Sequence, residues 1–255
     1  MICELIPGNF YDAYPVLQPV DLILVDPPYG TLKAQVWDTA PDWQKLGEIC
    51  ADLLKPTGQV IIFGSLKSIV QVLEAFGKSL QYRGYHIWRK TSAVPVSQYS
   101  ALPDSEFIIV YRHKDSKVSE LAFHPKVYPG KPYVKVNHKR SQKTRNETKK
   151  AVDRSNGGRW IKTVLDAPSK PNMPKAERTS HSTQKPLSLL SILIRCYSNP
   201  GDTILDPFAG SGSTLIAAHQ EGRESLGYEI NQEYYEEASE RIETMTLQPS
   251  LELED

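Results

Sequence analysis

The chain has 255 residues, of which 40% are apolar and 24% charged, a size and composition typical of a soluble globular protein with a large core. No apolar run approaches the roughly 20 residues that span a bilayer, and the N-terminal residues lack the basic and apolar regions of a secretion signal. The formal net charge is zero, and three widely spaced cysteines (Cys3, Cys50 and Cys196) predict buried free thiols in a reducing cytoplasm and no metal site.

The first 111 residues alternate between short apolar runs and segments with helical periodicity. An apolar run that ends in glycine or proline predicts a strand, and apolar residues at intervals of three and four predict a helix. The predicted strands are residues 2–6, 20–25, 59–63, 85–88 and 107–111, and the predicted helices are residues 41–54 and 66–80. This alternation predicts a parallel α/β sheet.

After residue 111 the pattern is lost and the chain becomes basic. Residues 112 to 178 contain 18 Lys and Arg against 6 Asp and Glu, so the rest of the neutral chain carries an equal acidic surplus. This separation of basic from acidic residues favours a polyanion-binding segment, which we predict to be a separate small module or an extended loop. A solvated lysine-rich loop explains the charge run equally well.

Regular periodicity returns at His181. The predicted elements are helices at residues 187–197, 213–220 and 232–245, and strands at residues 203–205 and 225–228. The predicted organisation is therefore residues 1–111, a basic region at residues 112–180, and residues 181–255.

The strand at residues 20–25 leads into Asp26-Pro27-Pro28-Tyr29, and the carboxyl ends of strands in a parallel sheet are where ligands bind. Two prolines stiffen the turn and remove two N–H donors, while their carbonyls remain able to accept hydrogen bonds. An acidic side chain, fixed carbonyls and an aromatic ring together suit a planar group that carries an NH2. A plain strand-to-loop turn with a capping Asp is the alternative.

A second stretch, Asp206-Pro207-Phe208-Ala209-Gly210-Ser211-Gly212, joins a predicted strand to a predicted helix. Its glycines allow the backbone to approach a ligand closely beside a helix N-terminus. Glu229 ends the next strand, where a carboxylate can hold ribose hydroxyls. Leu215 stands where a dinucleotide fingerprint has its third glycine, and no P-loop lysine follows. The pattern therefore favours an adenosine ligand without a pyrophosphate, such as S-adenosylmethionine.

These two stretches, with His181-Ser182-Thr183-Gln184-Lys185-Pro186 between them, resemble the motifs of the amino-group DNA methyltransferases. The order, with the catalytic motif first, the target-recognition region second and the cofactor motif last, is similar to that of the β class. The resemblance covers most of residues 1–111 and 157–245. It implies a Rossmann-like S-adenosylmethionine-dependent methyltransferase fold with a circularly permuted motif order and an inserted basic target-recognition region.

The resemblance also implies roles for individual residues. In the catalytic motif Asp26-Pro27-Pro28-Tyr29, Asp26 and the Pro27 carbonyl are expected to accept the hydrogens of the target amino group, and Tyr29 to stack on the flipped base. The residues expected to bind the cofactor are Asn9, Asp26, Thr183, Lys185, Asp206, Phe208, Gly210, Ser211, Gly212 and Glu229. Within this set, Asn9 stands where relatives usually have Asp at the adenine, and Thr183 and Lys185 are expected at the methionine end.

The leading hypothesis is methylation of adenine N6 in double-stranded DNA, because Asp at the first motif position is more typical of adenine members of the family. N4-cytosine methylation is the close alternative. An RNA amino-methyltransferase and a catalytically inactive nucleic-acid-binding protein are the further ones. The resemblance suggests a cytoplasmic protein of bacterial or phage origin. Members of the class are often dimers, and the sequence leaves open the oligomeric state, a companion restriction enzyme and the recognition sequence.

Overall fold

The structure is a computed structural model that describes residues 2–30, 39–93, 95, 98–99, 101–128 and 158–247, together with the backbone of residues 134–138 and 148–152. The strands are β1 (Cys3–Pro7), β2 (Val20–Val25), β3 (Leu54–Gly64), β4 (Gln81–Lys90), β5 (Ser105–Arg112), β6 (Val134–His138), β7 (Thr148–Val152), β8 (Val164–Ala167), β9 (Thr203–Asp206) and β10 (Glu224–Glu229). The helices are α1 (Phe10–Ala13), α2 (Trp43–Asp52), α3 (Leu66–Ser79), α4 (Leu187–Tyr197), α5 (Ser213–Gln220) and α6 (Gln232–Leu247). Each predicted strand and helix is present, with bounds that differ by a few residues.

Eight of these strands form one sheet in the order β1-β10-β9-β2-β3-β5-β4-β8. The strands from β1 to β3 in this order run parallel, whereas β5 is antiparallel to both β3 and β4. The prediction of a parallel sheet is therefore wrong for β5. Antiparallel neighbours need no crossover helix, and β4 and β5 follow one another in the chain without one among the described residues.

Helices cover both faces of the sheet, which explains why the strand sequences are continuous apolar runs. Along β2, Leu22 and Leu24 belong to the core under α4 and α5, while Ile23 and Val25 belong to the core under α2 and α3. All four side chains are fully buried. At about 1.5–3 kcal/mol for each fully buried aliphatic side chain, this strand contributes strongly to stability and fixes the position of the residues that follow it.

Local sequence also sets the ends of the helices. Ser65, directly after β3, caps α3 because its Oγ accepts a hydrogen bond from the N–H of Ser68 at 3.3 Å. Asp42 caps α2 in the same way through the N–H of Lys45 at 3.0 Å. Such caps satisfy backbone donors that the first turn of a helix leaves free.

Part of the basic region belongs to the main sheet. Strand β8 pairs with β4 as a parallel edge strand, and Leu165 in β8 is fully buried. A separate antiparallel pair is formed by β6 and β7. Residues 129–133, 139–147 and 153–157, and the C-terminal residues 248–255, lie outside the described residues. The boundaries at residues 111 and 180 remain predictions.

Two features are absent from the described ranges of the chain. No helix there has the length and apolar character to cross a membrane. No group of three His, Cys, Asp or Glu side chains there could hold a metal ion. The three cysteines are free thiols; Cys50 and Cys196 are buried as predicted, whereas Cys3 is only partly buried.

Candidate active site

A cavity of about 410 Å³ lies at the carboxyl ends of β1, β2, β9 and β10. Its volume is in the range of pockets that hold small-molecule ligands. The predicted site residues that line it are Asn9, Asp26, Pro27, Pro28, Tyr29, Thr183, Lys185, Asp206, Phe208, Gly210, Ser211 and Glu229. The topology therefore brings together residues from three distant parts of the chain, and Gly212 is the one predicted residue outside this lining.

Asp26 follows β2 and has a side chain that is 20% exposed. Its Oδ1 accepts a hydrogen bond from the Tyr29 hydroxyl at 2.9 Å, and its Oδ2 accepts one from Nζ of Lys185 at 2.5 Å. A carboxylate has about four acceptor positions, so both oxygens can accept further hydrogen bonds. Burial raises the pKa of Asp26, and the positive charge of Lys185 opposes this rise.

Lys185 is buried between two carboxylates. Its Nζ lies 2.5 Å from Oδ2 of Asp26 and 3.5 Å from Oε2 of Glu106. Burial by itself would lower the pKa of Lys185, but the two carboxylates outweigh burial and raise it. The ring centroids of Phe63, Tyr29 and Trp88 lie 5.2, 5.8 and 5.9 Å from the ammonium, within reach of cation–π attraction.

Glu106 is a part of this network that the sequence analysis missed. It is the second residue of β5, its Oε1 lies 2.8 Å from Nζ of Lys90, and its Oε2 faces Lys185. Burial would raise the pKa of Glu106, but Lys185 and Lys90 outweigh it and lower the pKa. The sequence signal that could have identified Glu106 is a charged residue directly before the apolar run at residues 107–111. This pattern is too common to indicate a site.

Glu229 joins the end of β10 to the glycine-rich loop. Its Oε2 accepts a hydrogen bond from the N–H of Gly210 at 2.9 Å, and its Oε1 accepts one from the N–H of Asn231 at 2.7 Å. The side chain is nearly buried, and burial raises the pKa of Glu229 although these N–H groups oppose the rise. The carboxylate is therefore held rigidly at the cavity wall with acceptor positions left for a ligand.

The two glycines of the loop have different surroundings. Both adopt left-handed backbone conformations, with φ of 51° at Gly210 and 71° at Gly212. A Cβ at Gly210 would lie 3.0 Å from Nε2 of His181 at the cavity, whereas a Cβ at Gly212 would lie 2.9 Å from Cδ1 of Ile242 in α6. Gly210 therefore allows close approach at the cavity, and Gly212 allows α5 to pack on α6.

Asp206 lies at the end of β9 and is 2% exposed. Its Oδ1 accepts a hydrogen bond from the N–H of Phe208 at 3.0 Å. Burial raises the pKa of Asp206 to about 7, although hydrogen bonds from Thr214 and Phe208 favour the charged form. The carboxyl thus supports the turn after β9 and changes its protonation near neutral pH.

Residues before α1 and α4 complete the cavity. Oδ1 of Asn9 accepts a hydrogen bond from the N–H of Tyr11 at 3.1 Å, and the ring of Tyr11 meets that of Phe208 edge-on at 6.5 Å. On the other side, the rings of His181 and Tyr234 are 4.5 Å apart. Burial and the nearby Lys185 lower the pKa of His181 to about 4, so this imidazole is neutral at pH 7.

The residues that line the cavity fit S-adenosylmethionine better than a nucleotide with a pyrophosphate. Aromatic walls suit an adenine ring, and a buried carboxylate at the end of β10 suits ribose hydroxyls. Among the described lining residues, Lys185 is the one Lys or Arg, and its charge is already matched by Asp26 and Glu106. A pyrophosphate there would lack a counter-ion.

Comparisons with known proteins agree with this geometry. The profile of a family described as DNA methylase matches residues 20–240. The type II methyltransferase M2.DpnII of Streptococcus pneumoniae is 27% identical over an alignment of 252 positions, which covers 89% of this chain and 83% of that protein.

Two solved structures show the same fold. The M1.HpyAVI complex with S-adenosylmethionine has a TM-score of 0.67 at 24% identity, covering 95% of this chain and 99% of that one. The PvuII DNA methyltransferase, described as cytosine-N4-specific, has a TM-score of 0.63 at 13% identity, covering 95% and 89%. The predicted Rossmann-like methyltransferase fold is thus confirmed, and the family confirms S-adenosylmethionine as the predicted cofactor. Because the family profile covers most of its length, the chain belongs to the DNA methylase family of N6- and N4-amino methyltransferases.

Proposed function

We propose that this protein is a site-specific DNA methyltransferase that transfers a methyl group from S-adenosylmethionine to the N6 amino group of adenine. The observation that carries the proposal is the Asp26 carboxylate, which lines the cavity beside Pro27 and is held by Lys185 at 2.5 Å. Asp at this position, rather than Ser, favours adenine over cytosine as the target.

The target amine is a poor nucleophile because its lone pair is conjugated with the base. Asp26 and the carbonyl of Pro27 accept its two hydrogens and draw the nitrogen toward tetrahedral geometry, which makes the lone pair available. Hydrogen bonds to a charged acceptor contribute about 1.5–3 kcal/mol each, so correct positioning must supply much of the remaining effect. The raised pKa of Asp26 also makes its carboxylate a better acceptor for the proton that the amine releases.

The cofactor is held by residues of the glycine-rich loop and its surroundings. When bound, S-adenosylmethionine supplies an electrophilic methyl group on a positively charged sulfur. Glu229 would accept hydrogen bonds from the ribose hydroxyls, Asn9 would bind at the adenine edge, and Phe208 would line the ribose and the methionine. Thr183, which lines the same cavity before α4, is assigned to the methionine end.

The DNA is bound by the basic region, and the target base is turned out of the duplex into the cavity. Extrusion costs a few kcal/mol, and stacking on the ring of Tyr29 returns about 1–3 kcal/mol of this. The surplus of Lys and Arg between residues 112 and 178 supplies phosphate contacts, so binding should weaken steeply with salt.

Methylation of cytosine N4 is the second candidate. It is favoured by the likeness in fold to the PvuII enzyme, which is described as cytosine-N4-specific. The amino groups of adenine and cytosine have the same conjugation, so the same acceptors serve both. Apart from the residue type at position 26, the fit of the base in the cavity separates the two candidates.

The test is transfer of labelled methyl from S-adenosylmethionine to unmethylated duplex DNA, followed by digestion to nucleosides. We expect label on deoxyadenosine, and a loss of at least about 100-fold in kcat for Asp26→Ala, because the charged acceptor is gone. Calorimetry should show that this variant still binds the cofactor, since the glycine-rich loop and Glu229 are intact.

Each other result has a definite meaning. Label on deoxycytidine would replace the first candidate with the second. Label on RNA but not on duplex DNA, or full activity of Asp26→Ala, would contradict the proposed function.

A further inference from the structure

Four alternating charges form a chain behind the catalytic motif. Lys90 of β4 lies 2.8 Å from Glu106 of β5, Glu106 lies 3.5 Å from Lys185, and Lys185 lies 2.5 Å from Asp26 at the end of β2. Strands β4 and β5, the residue after β2 and the segment before α4 therefore contribute one charge each. The charges sum to zero, as burial of such a group requires.

Glu106 is the acidic member of this chain that does not reach the cavity. It is absent from the described residues of the cavity lining, and its side chain is 14% exposed. Its Oε2 is buried and lies 3.5 Å from the ammonium of Lys185. One oxygen of this buried carboxylate therefore pairs with Lys185 and the other with Lys90, and the contact with Lys185 connects Glu106 to the catalytic motif.

We propose that Glu106 is a positioning residue for methyl transfer, which holds the ammonium of Lys185 against Asp26 and so keeps the Asp26 carboxylate in one orientation toward the amino group. This inference rests on the proposed function. Asp26 and Glu106 both contact the ammonium of Lys185, and the nearby rings of Phe63 and Trp88 have no oxygen that could accept a hydrogen bond from it. Without Glu106 the ammonium loses its second carboxylate contact.

The charged and titratable groups around Lys185 determine how removal of Glu106 will act. Asp26 faces Lys185 from β2, Glu106 faces it from β5 with Lys90 of β4 behind, and His181 lies in the same segment as Lys185. Glu106 raises the pKa of both Asp26 and Lys185. Glu106→Gln should therefore lower both pKa values.

The experiment measures kcat, KM and the pH profile of methyl transfer to duplex DNA for the wild type, Glu106→Gln and Glu221→Gln. Glu221 is the matched control: its side chain is 15% exposed and pairs with Arg195 at 2.6 Å, and it follows α5 and is not among the described residues that line the cavity. We expect Glu106→Gln to lower kcat about 10- to 100-fold with little change in KM for the cofactor, as a small misplacement of a catalytic group does. Both limbs of its pH profile should move to lower pH, and Glu221→Gln should match the wild type.

A Glu106→Gln enzyme with the kcat and pH limbs of the wild type would overturn the inference, as would a lower kcat with unmoved limbs. If that variant does not fold, Glu106→Asp decides, because it keeps the charge on a side chain one methylene shorter. A lower kcat with wild-type pH limbs for Glu106→Asp supports the inference, and an unchanged kcat overturns it. A wild type that does not methylate DNA contradicts the proposed function instead, so the two failures are distinguishable.

Discussion

Replacement of Lys185 by methionine removes the cation that separates two buried carboxylates. The lysine side chain is 6% exposed, and Asp26 and Glu106 are 20% and 14% exposed, so water compensates little for the loss. Removing one partner of a buried ion pair costs about 3–5 kcal/mol, because the remaining charge is left without its counter-ion. We expect Lys185→Met to lower the free energy of unfolding by this amount at pH 7. Methionine preserves most of the length and apolar character of the side chain, so the effect reports the charge.

Lys55→Met is the matched control. Lys55 pairs with Asp21 at 2.8 Å, but its side chain is 43% exposed. Ion pairs at the surface contribute about 0–1 kcal/mol, so this variant should stay close to the wild type.

The pH dependence has a defined sign. The pKa of Lys185 is raised in the folded state, so its stabilising effect is complete below its unfolded pKa and is lost only in alkaline solution. In Lys185→Met, the pKa values of Asp26 and Glu106 rise, because both carboxylates lose their cation. As pH falls, protonation of these carboxylates removes their unpaired charge. The loss in free energy of unfolding relative to the wild type should therefore be smaller at pH 5 than at pH 7.

Urea unfolding followed by circular dichroism at both pH values measures these differences. If Lys185→Met loses no more free energy of unfolding than Lys55→Met, the reasoning is refuted. It is also refuted if Lys185→Met loses the same amount at pH 5 and pH 7.

Two further predictions concern the glycine-rich loop and β9. Gly212→Ala should lower the melting temperature more than Gly222→Ala. Both positions have a left-handed backbone, with φ of 71° and 76°, but only at Gly212 would the added Cβ meet Ile242, at 2.9 Å. Equal losses in melting temperature would show that the contact with α6 has no effect. The pKa of Asp206 is raised to about 7 in the folded protein, so its ionisation costs the wild type stability as pH rises from about 4 to about 8. Asparagine does not ionise, so the free energy of unfolding of Asp206→Asn should increase relative to that of the wild type over this range. Urea unfolding of both proteins across this range checks it, and a constant difference would contradict it.

Much of the fold could be predicted because its signals are local. Strand β2 is an apolar run ended by two prolines, and α5 follows a glycine-rich turn, so both were recognisable from short segments. The antiparallel direction of β5 and the addition of β8 to the sheet edge were not predictable in this way. Strand direction depends on how a connection crosses the sheet, and β8 is a four-residue strand in a basic region without periodicity.

In the candidate site, too, some residues were predictable from local sequence and others were not. By itself, the sequence determined the acceptor motif at Asp26, the glycine-rich loop and the carboxylate of Glu229, because each follows a recognisable strand. Only the tertiary structure decided that Lys185 is the partner of Asp26, which lies 159 residues away in the chain, and that Glu106 lies behind it. An ion pair depends on the distance between two groups in space, and no local pattern in a sequence carries that distance.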